Sequence, residues 1–144
     1  MKTLIVAILL LSLFIQPTFA VDTSANLDDT SQYIKQLLTL INQYRESKRL
    51  APLSLDNKLT ILAHNHTADM QRSGVLSHDG FGERFKSSGR NSCVENVALN
   101  NGSPEELFAT WQNSTIHDKN LLTTNIKTAG ISRVGPYVTF LACD

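Results

Sequence analysis

Residues 93–111 read Cys93-Val94-Glu95-Asn96-Val97-Ala98-Leu99, Asn100-Asn101-Gly102, Ser103-Pro104-Glu105-Glu106-Leu107-Phe108-Ala109-Thr110-Trp111. The first seven residues read as a strand. The last nine open with the clearest local signal in the chain. Ser103 stands at an N-cap, Pro104 at the first helical position and Glu106 at the third. The serine oxygen and the glutamate carboxylate can each satisfy a backbone N–H that the first turn leaves free. Leu107, Phe108 and Trp111 then give the helix an inner face. A strand followed directly by a capped amphipathic helix points to a mixed α and β fold.

Downstream, Thr128–Val134 and Tyr137–Ala142 are β-rich and separated by Gly135-Pro136, which predicts a hairpin. Upstream, Tyr33, Ile34, Leu37, Leu38, Ile41 and Tyr44 recur at three- and four-residue spacing and predict a helix. Its cap candidates are Asp29, Thr30 and Ser31, and it fades near Lys48, because Pro52 biases Ala51 away from helical geometry. A second helix is capped by Asp56, carries Leu59, Leu62, Ala63, His66 and Met70 on one face, and stops at Gly74. The segment 77–91 holds three glycines and a short helical stretch around Glu83–Lys86.

Residues 4–15 form an apolar run broken only by Ser12, behind Lys2 and ahead of Pro17-Thr18-Phe19-Ala20. A basic start, a short apolar run and small residues at the cleavage position predict a secretory signal peptide over 1–20. Such a run is shorter than the roughly 20 residues a helix needs to span a bilayer. The polar, aperiodic residues 21–29 read as a flexible leader, leaving 30–144 as one domain. The 13 basic and 13 acidic side chains balance, and removing residues 1–20 takes away only Lys2, for a net charge of −1. With no basic cluster, no nucleic-acid partner is expected. After removal of the signal nothing predicts an integral membrane protein, and a monomer is expected.

Export places Cys93 and Cys143, the only two cysteines, where disulfides persist. An internal bridge is favoured over free thiols or an intermolecular link. Loop entropy assigns it about 4 kcal/mol.

Four histidines remain to be placed. His64 and His66 are two apart on a helix, the wrong spacing for a metal pair. His66 reads as a packed core residue and His64 as a solvated one. His78, in Ser77-His78-Asp79, and His117, just beyond the third helix, lie on loops and off the apolar stripes, where sites are commonly built.

The order of fragments is the final observation. Leu38-x-x-Ile41-Asn42-x-x-Arg45 comes first, then Pro52-Leu53-x-Leu55-Asp56, His66-x-x-Asp69-Met70, Ser77-His78 and Glu95-Asn96-Val97-Ala98. Trp111-x-x-Ser114-x-x-His117-x-x-Asn120-Leu121-Leu122 and Ala129-Gly130-Ile131 complete the series. This succession, covering about residues 32–143, closely resembles the CAP superfamily of cysteine-rich secretory, antigen 5 and pathogenesis-related proteins, in its short bacterial form. The resemblance implies an α+β fold, a three-layer α-β-α sandwich around a small, mainly antiparallel sheet. It implies a cleft lined by His78, Glu95 and His117, with Asn96 and Ser114 beside them. Ser114 stands where eukaryotic members carry a second glutamate.

Two imidazoles and a carboxylate can hold Zn²⁺ or another divalent cation, with His78, His117 and Glu95 as ligands. Alternatively, Glu95 orients a histidine from behind. The function implied is a secreted, extracellular, non-catalytic binding module. Its partner would be a lipid or sterol-like amphipathic ligand held in an apolar cleft beside the metal, or a host or cell-wall component. A metal-assisted hydrolase and a purely structural or protein-interaction domain are the alternatives.

Overall fold

The computed structural model describes residues 23–144; the signal-peptide expectation lies outside them. Five helices and four strands follow in the order α1 Thr23–Ser47, β1 Ser54–Leu55, α2 Asn57–Ser73, α3 Phe81–Ser88, β2 Cys93–Leu99, α4 Pro104–Gln112, α5 Thr115–Leu121, β3 Thr128–Val134 and β4 Tyr137–Cys143. The strands form one sheet in the order β1-β3-β4-β2. Both long pairings are antiparallel, and only the two-residue β1 runs parallel to its neighbour.

The three layers follow from strand alternation. Val94 and Ala98 of β2, Ile131 of β3 and Phe140 of β4 pack towards Leu37 and Ile41 of α1 and Leu107 and Trp111 of α4. The residues between them face the other way. Leu141 and Cys143 meet Leu59 and Ala63 of α2, and Val97 meets Met70. Gly130 sets how closely α2 lies on β3: a Cβ there would fall 2.1 Å from the Leu59 carbonyl carbon. Any side chain at that position would push the helix off the sheet.

The capping signals hold in the structure. Asp56 accepts from the Leu59 N–H, Gly74 ends α2 in the left-handed conformation, and Ser103 with Glu106 forms the reciprocal box of α4. Cys93 and Cys143 are directly opposite across β2 and β4 and are joined by the disulfide.

Two expectations are corrected. The first helix begins at Thr23, inside the stretch read as a flexible leader, so Asp29, Thr30 and Ser31 are interior residues rather than caps. Neither Gly nor Pro interrupts 23–30, and nothing stops the helix from propagating backwards. His117, in turn, lies within α5 rather than on a loop.

Arg45 holds that first helix in place. It sits one turn after Ile41 on the buried face of α1 and is fully buried. Its guanidinium donates to the carbonyls of Ala51, Leu121, Thr123 and Ile126. It thereby satisfies carbonyls that the end of α5 and the following turn leave without intrahelical partners.

Candidate functional site

The site is built on β2, which is an edge strand. Alternation sends Glu95 to the α2 and α3 face and Asn96 to the opposite one. Glu95 is therefore met by three elements at once. From α3, Arg84 Nε donates to Oε2 at 2.7 Å and Nη2 donates to Oε1 at 2.7 Å. From the turn after α2, His78 Nδ1 lies 2.9 Å from Oε1. From α2, His66 Nε2 lies 4.0 Å from Oε1.

The carboxylate is 2% exposed and Arg84 11%, whereas the His78 side chain is 52% exposed. A carboxylate this deep is tolerable only when paired and fully hydrogen-bonded, and the planar guanidinium fork meets that need. Arg84 also donates to the carbonyl of Asp79, tying the fork to the turn that carries His78.

His117 reaches the same edge from the other side. Asn96 Nδ2 donates to the His117 carbonyl at 3.1 Å, and Asn96 Oδ1 accepts from Asn120 Nδ2 at 2.8 Å. Asn120 Nδ2 also lies 3.0 Å from the Glu95 carbonyl. These amides dock α5 against β2, so the buried Asn96 acts as an anchor and does not line a cleft. Burial lowers the His117 pKa below its ordinary value, and the neighbouring His78 lowers it further. Both effects disfavour the charged ring. Its Nδ1 is buried without a hydrogen-bond partner, as is Trp111 Nε1, with the two rings 6.5 Å apart. Ser114 occupies the N-cap of α5 without a capping bond from its side chain.

The hydrogen bond from His78 to Glu95 decides what this set can bind. A carboxylate paired with arginine accepts, so in the neutral ring the His78 proton is on Nδ1 and the lone pair is on Nε2. With His78 and Arg84 both on its oxygens, Glu95 sits behind His78, the second of the two arrangements weighed for it. Both oxygens are engaged, and among the described residues no three His, Cys, Asp or Glu side chains are grouped to hold an ion. Two imidazoles remain as donors, of the kind a divalent cation takes when other ligands complete its shell.

Sequence reasoning assigned no role to Arg84 and placed His66 outside the site. His66 is buried as expected, yet its Nε2 bonds the Ser77 carbonyl at 2.8 Å beside Glu95. A turn and a short helix bring these groups together, and no regular spacing announces that.

A cleft of ≈680 Å³ next to the cluster is lined by residues that include His66, Met70, Asp79 and Arg84. The apolar groove, ≈310 Å³, lies at the opposite edge of the sheet between Ile34, Leu55 and Ile131, with Lys35 beside it.

Comparison with known proteins agrees with this architecture. Residues 38–140 match the family described as CAP, cysteine-rich secretory protein family. The uncharacterized protein YkwD of Bacillus subtilis (strain 168) is 29% identical over 124 residues, 78% of this chain and 46% of that protein. An extracellular protein containing a SCP domain from Bacillus anthracis str. Ames superposes with a TM-score of 0.79 at 22% identity, covering 88% of this chain and 45% of the other. An outer surface protein from Borrelia burgdorferi gives 0.72 at 20% identity, covering 78% of this chain and 92% of the other. The chain spans about half the length of YkwD and of the Bacillus anthracis protein. At such identities the structural likeness establishes the fold.

Proposed function

The chain belongs to the CAP family of cysteine-rich secretory proteins, and from that premise we propose that it is an exported binding module rather than a hydrolase. The observation that carries this reading is the engagement of Glu95. A general base needs a lone pair within reach of a substrate proton. The Glu95 oxygens instead accept from Arg84 and His78 beneath the surface. Ser114 offers no second carboxylate, and Cys93 is tied up in the disulfide. Export is supported by relatives described as extracellular or outer surface proteins and by the signal-like residues 1–20.

His78 and His117 would hold a divalent cation such as Zn²⁺. When bound, the ion would supply a positive, Lewis-acidic anchor for a ligand oxygen. His78 presents Nε2, Glu95 fixes its tautomer and Arg84 fixes Glu95. A lipid or sterol-like ligand would lie in the groove of Ile34, Leu55 and Ile131, at the other edge of the sheet and apart from that ion.

Calorimetric titration of Zn²⁺, with ester and peptide hydrolysis assayed in parallel, tests the reading. It expects saturable one-to-one binding that is lost in His78→Ala and in His117→Ala, without turnover. In Glu95→Gln, binding should weaken roughly 10- to 100-fold, as for a carboxylate behind a ligand. Turnover that depends on Glu95, or binding indifferent to both histidines, would contradict it.

A further inference from the structure

Asn100-Asn101-Gly102 carries the chain from β2 into α4. Asn100 is engaged at both ends of its amide. Its Nδ2 donates to the Tyr33 hydroxyl at 2.9 Å and to the Ser103 carbonyl at 3.1 Å, and its Oδ1 accepts from the Gly102 N–H at 3.2 Å. Asn101 is exposed, and its carboxamide has no hydrogen-bond partner among the described residues.

The helix that follows dictates Gly102. A Cβ there would collide with Glu106 Oε2, the atom that accepts from the Ser103 N–H in the capping box. The cap therefore requires glycine directly after an exposed asparagine, and this is the only Asn-Gly step in the chain. With no side chain to shield it, the Gly102 nitrogen can reach the Asn101 Cγ once solvent base takes its proton. One side-chain bond holds that N–H, outside any helix or strand ladder. Asn65, Asn91 and Asn113 are exposed too, but residues with side chains follow them. The next backbone nitrogens are also held, within α2, by Asp144 and by the Trp111 carbonyl.

We propose that Asn101 is a site of spontaneous modification in the folded protein, converting through a succinimide to aspartate and isoaspartate, and that the isoaspartate form loosens the start of α4. The Gly102 nitrogen bonds to Cγ, the Cγ–Nδ2 bond breaks, and the amide leaves as ammonia with a proton from water. Water then opens the ring. Addition at Cγ gives aspartate, and addition at the main-chain carbonyl gives isoaspartate. Nothing is oxidised or reduced. The aspartate form keeps the backbone and places a carboxylate ahead of a helix N-terminus, where negative charge is favourable. The isoaspartate form lengthens the main chain by a methylene just before Ser103, drawing the cap out of register with Glu106.

The test is incubation of the folded protein, disulfide intact, in H₂¹⁸O at mildly alkaline pH, with each asparagine followed by tandem mass spectrometry. Residue 101 should take up ¹⁸O as both acids, with isoaspartate in excess and a rate proportional to hydroxide. That rate should exceed those at Asn65, Asn91 and Asn113 by an order of magnitude, and Asn101→Gln should abolish it. In the separated products, hydrogen exchange at the Glu106 N–H should quicken in the isoaspartate form and stay unchanged in Asn101→Asp. Four results would overturn the proposal: an Asn101 that converts in urea but not when folded, similar rates at the other asparagines, aspartate without isoaspartate, or unchanged exchange at Glu106.

Discussion

At one edge of the sheet, β2 runs for seven residues and is closed by side chains: Asn96 and Asn120 clamp α5 onto it, and Arg84 locks Glu95 from the other face. At the other edge, β1 contributes two residues, Ser54 and Leu55, both exposed, beside an apolar groove. Each edge avoids open strand pairing in its own way, one by coverage and the other by brevity. The difference lies in what each can tolerate. The β2 edge stores buried charge and directional hydrogen bonds, which fix histidine geometry and leave little freedom. The β1 edge is held through its backbone, with Ser54 and Asp56 donating to the Lys127 and Ala129 carbonyls, and its exposed side chains can change at low cost.

The largest effect should come from removing a buried charge partner. Glu95→Ala leaves the Arg84 guanidinium, 11% exposed, without its carboxylate. The expected destabilisation in urea unfolding is about 3–5 kcal/mol. A loss below about 1 kcal/mol would mean that the pair is solvated and the contrast between edges is false.

The disulfide comes next, since it staples the start of β2 to the end of β4. Replacing both cysteines by serine should cost about 2–4 kcal/mol in the same experiment.

A smaller effect is a pH dependence. His117 has its pKa lowered by burial and then by His78, so the folded state binds fewer protons than the unfolded one near the ordinary value of 6.5. Stability should therefore fall as the pH drops through that value towards the lower folded pKa. His117→Gln should flatten this decline between about pH 7.5 and 5.5, and an unchanged slope would assign it to other groups.

The smallest effect belongs to the β1 edge. Leu55 is 47% exposed, and Leu55→Thr should shift stability by no more than about 0.5 kcal/mol. A larger loss would show that this edge is as constrained as the other.

Much of the fold was legible because its determinants are local. The stripe from Tyr33 to Tyr44, the caps at Asp56, Gly74 and Ser103, and the hairpin around Gly135-Pro136 each occupy one short window. What escaped was short or assembled from distant parts. β1 has two residues with no buried face to mark it. α5 has seven residues and no capping side-chain bond. In the site, His78 and Glu95 were read as neighbours and are hydrogen-bonded. Of the two roles weighed for Glu95 in the sequence, its hydrogen bonds support the orienting one. Arg84 is what supports that reading. Its meeting with Glu95 depends on a turn, an eight-residue helix and the pleat of β2, none of which fixes a periodic spacing.

The central claim is that Glu95, held by Arg84, acts by orienting His78. The most direct measurement is long-range ¹H–¹⁵N correlation of the His78 imidazole at neutral pH, before and after Zn²⁺ addition. The account predicts a proton on Nδ1 and a bare Nε2, with Nε2 the nitrogen that Zn²⁺ shifts. A ring protonated at Nε2, or Zn²⁺ acting first on the Glu95 carboxylate, would contradict it.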